Sequence, residues 1–600
     1  MSKPQYDAPK NLKKTSRRLL KLLMQQKSRF SLIIISAFLF SITMAIAPLF
    51  LGWGLDNVIA LISQKNWQIN DLIQALKLPL IFLVMSWLFI SGFSLLQEFT
   101  MASVSETLTL ALRKEITAKF NRLPIRFFDQ YQTGDVLSRT ILDLDKVSEV
   151  LQVGLMQLIV AILSIISGII VMLYLSPLLT LAIIGILLVS VFATKYLSQK
   201  NLIYFTDNQV TLGNVTSRAE ELYSANLLIK SYNQKETVTT EMEALSEAQF
   251  KAFRKAQFLS YAINPFIRFI NQIGFVLSAV FGGFMILNGQ LSIGLIQAYL
   301  QYVNQISEPI TQASYITNTL QSALASLERI FEILDYPEEI EIDSPQVVPE
   351  KIDGHVVFEN LSFGYTPKKL LMENINITVK PQQKVAIVGP TGAGKTTLIN
   401  LLMRFYPLNQ GTIYLDGQDM TSYQAADIRK RFGMVLQDTW LFEGTIAENI
   451  GYGNPQATPK DIIQAARAAQ CDHFIRTLPD GYDTKIGGET DLSQGQQQLL
   501  TIARAILANP TILILDEATS SVDTRTELMI QQAMNELTKN RTSFVIAHRL
   551  STIKNADLIL VMKDGTIIEQ GSHDELLAQP SFYANLYQSQ FQGSDTGVLG

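Results

Sequence analysis

Residues 384–402 read KVAIVGPTGAGKTTLINLL, and this stretch decides the fold of the second half of the chain. KVAIVG is a short apolar strand, and the run from Thr397 onward has the pattern of a helix. Between them lie Gly389, Pro390, Thr391, Gly392, Ala393, Gly394, Lys395 and Thr396. That strand–loop–helix order is the setting a phosphate-binding loop requires. Its glycines let backbone N–H groups wrap an anion, and the helix N-terminus adds a favourable dipole. Lys395 is expected to neutralise the outer phosphates of a nucleotide and the Thr396 hydroxyl to meet Mg²⁺, with Thr397 beside them.

A second strand follows at 511–523, TILILDEATSSVD. Its unbroken apolar run suits a strand buried on both faces. Asp516 at its end is expected to hold Mg²⁺ through water, and Glu517 to polarise an attacking water. Phosphoryl transfer needs mainly positioning and charge stabilisation, so this small set suffices.

Upstream, the sequence changes character. Six apolar runs lie at roughly 30–53, 76–97, 151–174, 177–199, 264–288 and 291–314. Each has the roughly 20 residues that a helix needs to cross a bilayer. Ser176-Pro177 leaves room only for a tight hairpin between the third and fourth. Arg113, Lys114, Lys119, Arg122 and Arg126 crowd the connection between the second and third, and basic residues precede the first. The positive-inside rule then puts both termini in the cytosol. The long 2–3 and 4–5 connections look helical, predicting two cytosolic projections with short helices at Pro124–Gln130 and Glu220–Ala225. Residues 14–28 read as an amphipathic helix on the membrane surface.

Runs five and six are less apolar. Gln297, Gln301, Asn304 and Glu308 fall on one helix face, and Asn264, Arg268 and Asn271 do the same on run five. Polar groups facing lipid are costly, so both faces are expected to line a translocation path; interhelical hydrogen bonding is the alternative.

Composition narrows the classes. The 49 basic residues nearly balance 53 acidic ones, which gives no sign of nucleic-acid binding. One cysteine, Cys471, excludes a disulfide framework and is expected to be a partly buried helix residue, and four histidines leave little for a metal cluster. The predicted architecture is a membrane all-α domain of six transmembrane helices joined to an α/β P-loop NTPase domain. Its divisions are a basic segment at 1–29, the helices at 30–334, an acidic, proline-containing linker at 335–354, the nucleotide domain at 355–590 and a tail at 591–600.

Taken in order, these residues resemble the ATP-binding cassette of ABC transporters, and with the six upstream runs the whole chain resembles an exporter-type half-transporter. Tyr365 matches the aromatic that stacks on adenine. Gln437 matches the loop glutamine that touches Mg²⁺ and senses the membrane domain. Leu492, Ser493, Gln494, Gly495 and Gln496 match the signature motif, Ser520 to Asp523 the D-loop, and His548 the switch histidine. LPIRFFDQYQTGDVLSR, 123–139, is similar to the first intracellular loop of such exporters. The resemblance implies two cassettes sandwiching two Mg²⁺-ATP, each signature facing the other's phosphate loop, so one copy per chain implies a dimer. Glu517, His548 and Lys395 would do the cleavage. The family's signature has Gly where this chain has Gln494, and Gln497 stands where Arg is usual. Gly tolerates backbone angles that Gln does not, and a side chain here would sit near the phosphate. Combined with the intact phosphate loop, Asp516, Glu517 and His548, the departure resembles one subunit of heterodimeric bacterial multidrug exporters, whose partner would bring a normal signature to the intact site here. Harmless variation in a homodimer is the alternative. The resemblance implies export of amphipathic small molecules across the plasma membrane; a lipid flippase or a nucleotide-gated channel are the other readings.

Overall fold

The computed structural model describes residues 11–64, 67–339, 342, 345–349, 351–366, 369–436, 439–487, 492–516, 523–547 and 550–591. The chain divides into two units. One comprises residues 1–123 and 131–337, the other residues 124–130 and 338–600.

The first unit is built on six long helices: Lys27–Ile62, Ile69–Phe120, Met156–Leu175, Pro177–Ser224, Lys235–Leu287 and Ile293–Leu334. Among the described residues, five helical stretches are long and apolar enough to cross a membrane; that of Ile293–Leu334 is not among them. The lower apolarity of this last helix has a visible cause. Ile296, Tyr299, Tyr302, Val303 and Ile306 are buried against Met172, Leu179, Ile183 and Leu187, and its other face is polar. The 53 residues of Lys235–Leu287 span about 80 Å, far beyond the roughly 30 Å of a bilayer core. Pro177 opens its helix at the first position, where a missing N–H costs nothing, so the hairpin at Ser176 is tight as expected.

Two helices meet almost backbone to backbone. A Cβ on Gly294 would collide with the carbonyl oxygen of Gly52. Beside this contact the Asp56 carboxylate accepts bonds from the Gly294 N–H at 2.8 Å and the Ser292 hydroxyl at 2.5 Å, pinning the start of Ile293–Leu334 to Lys27–Ile62.

Three elements differ from the sequence reading. The N-terminal amphipathic helix is Leu12–Leu23; Lys27 and Ser28 already belong to the first long helix. Its Arg18 pairs with both oxygens of Asp335 at 2.8 and 2.9 Å and lies 3.9 Å over the Phe331 ring. A π-helical turn at Val150–Leu155 precedes Met156–Leu175. The second short helix is Asn226–Ser231, because the long helix continues through Glu220 to Ser224, supported by the Arg218–Glu221 pair at 2.7 Å.

The second unit is an α/β domain. Its six-stranded sheet runs Thr566–Gly571, Leu558–Lys563, Lys384–Val388, Thr542–Ile546, Ile512–Asp516, Phe432–Val435. All neighbours are parallel except the first pair. A four-stranded antiparallel sheet carries Val356–Phe363, Met372–Val379, Gln410–Leu415 and Gln418–Asp419. Ile512 to Leu515 are buried, as the apolar run requires. Cys471 is fully buried as the cap residue of Asp472–Thr477, rather than partly buried within a helix, and its thiol donates to the Ala466 carbonyl at 3.3 Å. Burial first, then the Asp472 charge, pushes that thiol up to about 12.

Candidate functional site: the phosphate loop and the signature helix

The phosphate loop leaves the C-terminal end of Lys384–Val388 inside the parallel sheet, the edge where open α/β sheets take ligands. Gly389, Gly392 and Gly394 have φ of +151°, +84° and +100°, and a Cβ on Gly389 would strike the Met562 carbonyl oxygen. Pro390, Thr391 and Ala393 complete the curve, and helix Lys395–Leu402 begins at once. The Lys395 ammonium donates to the carbonyls of Gly389 at 2.7 Å and Pro390 at 3.0 Å. Burial lowers its pKa, while the Asp516 carboxylate works in the opposite direction. Thr396 is exposed in the first helical turn and Asp516 is half-buried at its strand end. These hard oxygen donors suit Mg²⁺, which typically takes one or two protein oxygens plus phosphates and water. Among the described residues no group of three or more His, Cys, Asp or Glu gathers that could hold a resident metal ion.

Tyr365 stands beside the loop. Its hydroxyl is 3.0 Å from the Thr397 hydroxyl. Phe363 and Tyr406 meet its ring edge-on at 5.0 and 5.1 Å. The ring is 43% exposed, so one surface remains free to receive a planar base.

The signature segment is a capping box. The Ser493 hydroxyl accepts from the Gln496 N–H at 3.3 Å, and the Gln496 side chain accepts from the Ser493 N–H at 3.0 Å. Leu492 and Gly495 are buried beneath it, and helix Gln494–Ala508 runs away from this start. Gln494 is exposed at the first helical position and is not among the residues with left-handed φ. The expectation that Gln strains this position is therefore corrected: the backbone is that of an ordinary helix start, which any residue adopts.

Asp523 caps helix Thr524–Thr538, accepting from the N–H groups of Arg525 at 3.1 Å and Thr526 at 3.0 Å, and these bonds lower its pKa. Gln437, Glu517, Ser520 and His548 lie outside the described residues. Of the seven polar positions in the long helices, Asn264, Arg268, Asn304 and Glu308 are exposed, Gln297 and Gln301 half-buried and Asn271 buried. Gln312 donates to Glu308 at 2.7 Å.

Sequence reading missed a pair of grips on the signature helix. Gln497 donates to the Leu492 carbonyl at 3.0 Å and accepts from the Thr439 hydroxyl at 3.2 Å. Arg504, two turns later, donates to the Asn449 carbonyl at 2.9 Å and the Trp440 carbonyl at 3.1 Å, and burial lowers its pKa. Together they tie the segment after Gln437 to the helix that starts at the signature. Only the seven-residue spacing hinted at it, since that puts both side chains on one face.

Comparison with known proteins agrees with this arrangement. Residues 30–310 match the family model of the ABC transporter transmembrane region, and residues 372–520 match that of the ABC transporter. The chain is 45% identical over 475 residues to a fatty acid ABC transporter ATP-binding/permease protein of Mycobacterium tuberculosis, covering 79% of this chain and 75% of that protein. It is 33% identical over 517 residues to an ATP-dependent lipid A-core flippase of Syntrophus aciditrophicus, covering 86% of each. A solved bacterial Atm1-family ABC exporter with ATP bound superposes with TM-score 0.76 at 27% identity, covering 94% of this chain and 98% of that one.

Proposed function

We propose that this chain, which belongs to the ABC transporter family, carries amphipathic small molecules, drug-like or lipid-like, from the cytosolic side of the plasma membrane outward. It is an ATPase-driven exporter whose multi-pass transmembrane region and cassette are fused in one polypeptide. A half-transporter works with a second ABC half.

One observation carries the cargo reading. In Ile293–Leu334 one face is packed core, while Asn304 and Glu308 stand exposed on the opposite face. Exposed amide and carboxylate groups in a membrane helix are at home beside a wet cavity. A cavity with one polar wall among apolar helices suits a molecule with one polar end. The relatives named for a fatty acid and for lipid A-core support lipid-like cargo, so flipping between leaflets is the second reading. A nucleotide-gated channel has no need of Glu517.

In the working cycle Lys395 and the loop N–H groups hold the phosphates, Thr396, Gln437 and Asp516 meet Mg²⁺, and Tyr365 stacks on the base. Glu517 polarises the water and His548 stabilises the transferring phosphoryl group. The capped start of the signature helix, at Ser493, is offered to ATP on the partner. Gln494 and Gln497 replace the usual residues there, so the partner proposed is a different half with an unaltered signature. With Gln494 unstrained, that proposal rests on side-chain chemistry alone. Both termini would lie in the cytosol.

The test is ATP turnover by the purified chain alone in lipid, beside Glu517→Gln. Turnover lost in the variant means a competent homodimer and overturns the different-partner proposal. A folded, inserted but silent chain supports it. With a partner present, Glu517→Gln should bind ATP normally and transport nothing; transport at a normal rate would remove Glu517 from its role.

A further inference from the structure

Arg268 and Lys195 are exposed cations within the apolar lengths of Lys235–Leu287 and Pro177–Ser224. Neither forms an ion pair or hydrogen bond with any other described residue. The two helices are antiparallel neighbours in fixed register. Asn201 and Ser260 are hydrogen-bonded at 3.0 Å, and a Cβ on Gly274 would lie 3.4 Å from Ile183 and 3.5 Å from Ile186. In that register Arg268 is level with Phe192, three residues from Lys195, or about 4.5 Å along the axis. The cations therefore share one level.

That level has a definite place in a bilayer. Arg268 lies about 28 Å from the helix end at Leu287, and Lys195 about 27 Å from the helix start at Pro177. A hydrocarbon core is about 30 Å thick, so both charges sit near one of its boundaries. At this level and on toward the other boundary the same helices expose apolar side chains. Phe269 and Phe284 are 65% and 60% exposed, and Phe192 and Leu188 are 70% and 54% exposed. Two free cations at headgroup height beside a bare apolar wall match the two ends of an anionic amphiphile.

We propose that Arg268, with Lys195, receives the anionic headgroup, a carboxylate or a phosphate, of a cargo whose tail lies along the apolar wall. This rests on the amphiphile-export reading and names its headgroup class. Glu308 opposes it. By the contact between Gly282 and Ile296 it falls within about two residues of the Arg268 level, and its carboxylate is held by Gln312. A carboxylate beside the cations weakens their pull, so Glu308 sets how strongly an anionic headgroup is held.

The test is equilibrium binding to the full chain in nanodiscs of zwitterionic lipid. The probes share one chain length: hexadecanoate, its methyl ester, hexadecyl phosphate and hexadecyltrimethylammonium. Hexadecanoate should bind more tightly than the ester. Arg268→Gln should weaken it about tenfold or more, the value of a hydrogen bond to a charged group. Ester binding should not change, which serves as the folding control. Arg268→Lys should keep most of the affinity, and Glu308→Gln should increase it, a gain that a merely structural role would not give. A stronger response to the carboxylate or to the phosphate probe distinguishes the two headgroup sources. Equal binding of acid and ester, or an unchanged preference in Arg268→Gln, overturns the headgroup assignment. Tightest binding of the ammonium probe also overturns it, yet leaves amphiphile export standing. If no probe binds, both fall.

Discussion

The chain has two six-residue helices at the ends of long helical arms, and their surroundings are opposite. Ile125–Gln130 groups with residues 338–600; Phe127 is 1% exposed, and Asp129 accepts a hydrogen bond from Tyr406. Asn226–Ser231 has no buried residue. Leu227 is 83% exposed, and Tyr223, just before it, 85%. With Leu228 at 59% and Tyr232 at 70%, these side chains cluster at one tip, and clustered exposed apolar surface marks interaction sites. The contrast is between one tip packed within its own unit and one whose apolar side chains are bare in the single chain.

Three changes test the contrast. The largest effect is expected from Leu227→Asp. If the bare tip enters an apolar contact on the partner, a buried carboxylate there costs several kcal/mol. Cargo-stimulated ATP turnover should then be almost lost. The melting temperature of the chain alone should hold, since exposed substitutions usually change stability by only about 0.5 kcal/mol. Full stimulation would show that the tip touches nothing.

Phe127→Ala should act the other way. Removing a buried Phe costs about 3 kcal/mol. The chain alone should melt earlier, and stimulation should fall as well. A melting temperature unmoved by Phe127→Ala would erase the difference between the tips.

Tyr406→Phe should have the smallest effect, about 1 kcal/mol for one hydrogen bond. Burial, followed by the Asp129 carboxylate, raises the Tyr406 phenol pKa above its usual value. A raised folded pKa means the phenol's contribution is complete below the unfolded value of about 10 and fades as pH climbs through the folded one. The difference in stability between Tyr406→Phe and the parent should therefore be constant from about pH 7 to 9. A difference that shrinks in that range would show that the phenol is not held protonated.

What could be read in advance follows the range of each interaction. The phosphate loop, the strand ending at Asp516 and the capped signature depend on residues a few positions apart, so their patterns were visible. Tyr406 with Asp129, Gln497 with Thr439 and Asp56 with Gly294 join residues up to 277 positions apart, and no local pattern announces them. Neither Gly nor Pro marks the break at Ser224-Ala225, so the sequence alone sets the second tip six residues too early. At Gln494 the family glycine suggests special backbone angles, whereas the position is the first turn of a helix, which any residue adopts.

The buried Cys471 has a practical consequence. Alkylating and disulfide-forming reagents attack the thiolate, and a buried thiol with a pKa near 12 offers them almost none at neutral pH. The chain is thus a natural cysteine-silent background. A spin label or fluorophore at either tip would report alone, so the distance between the two tips could be followed through the ATP cycle without first removing a native residue.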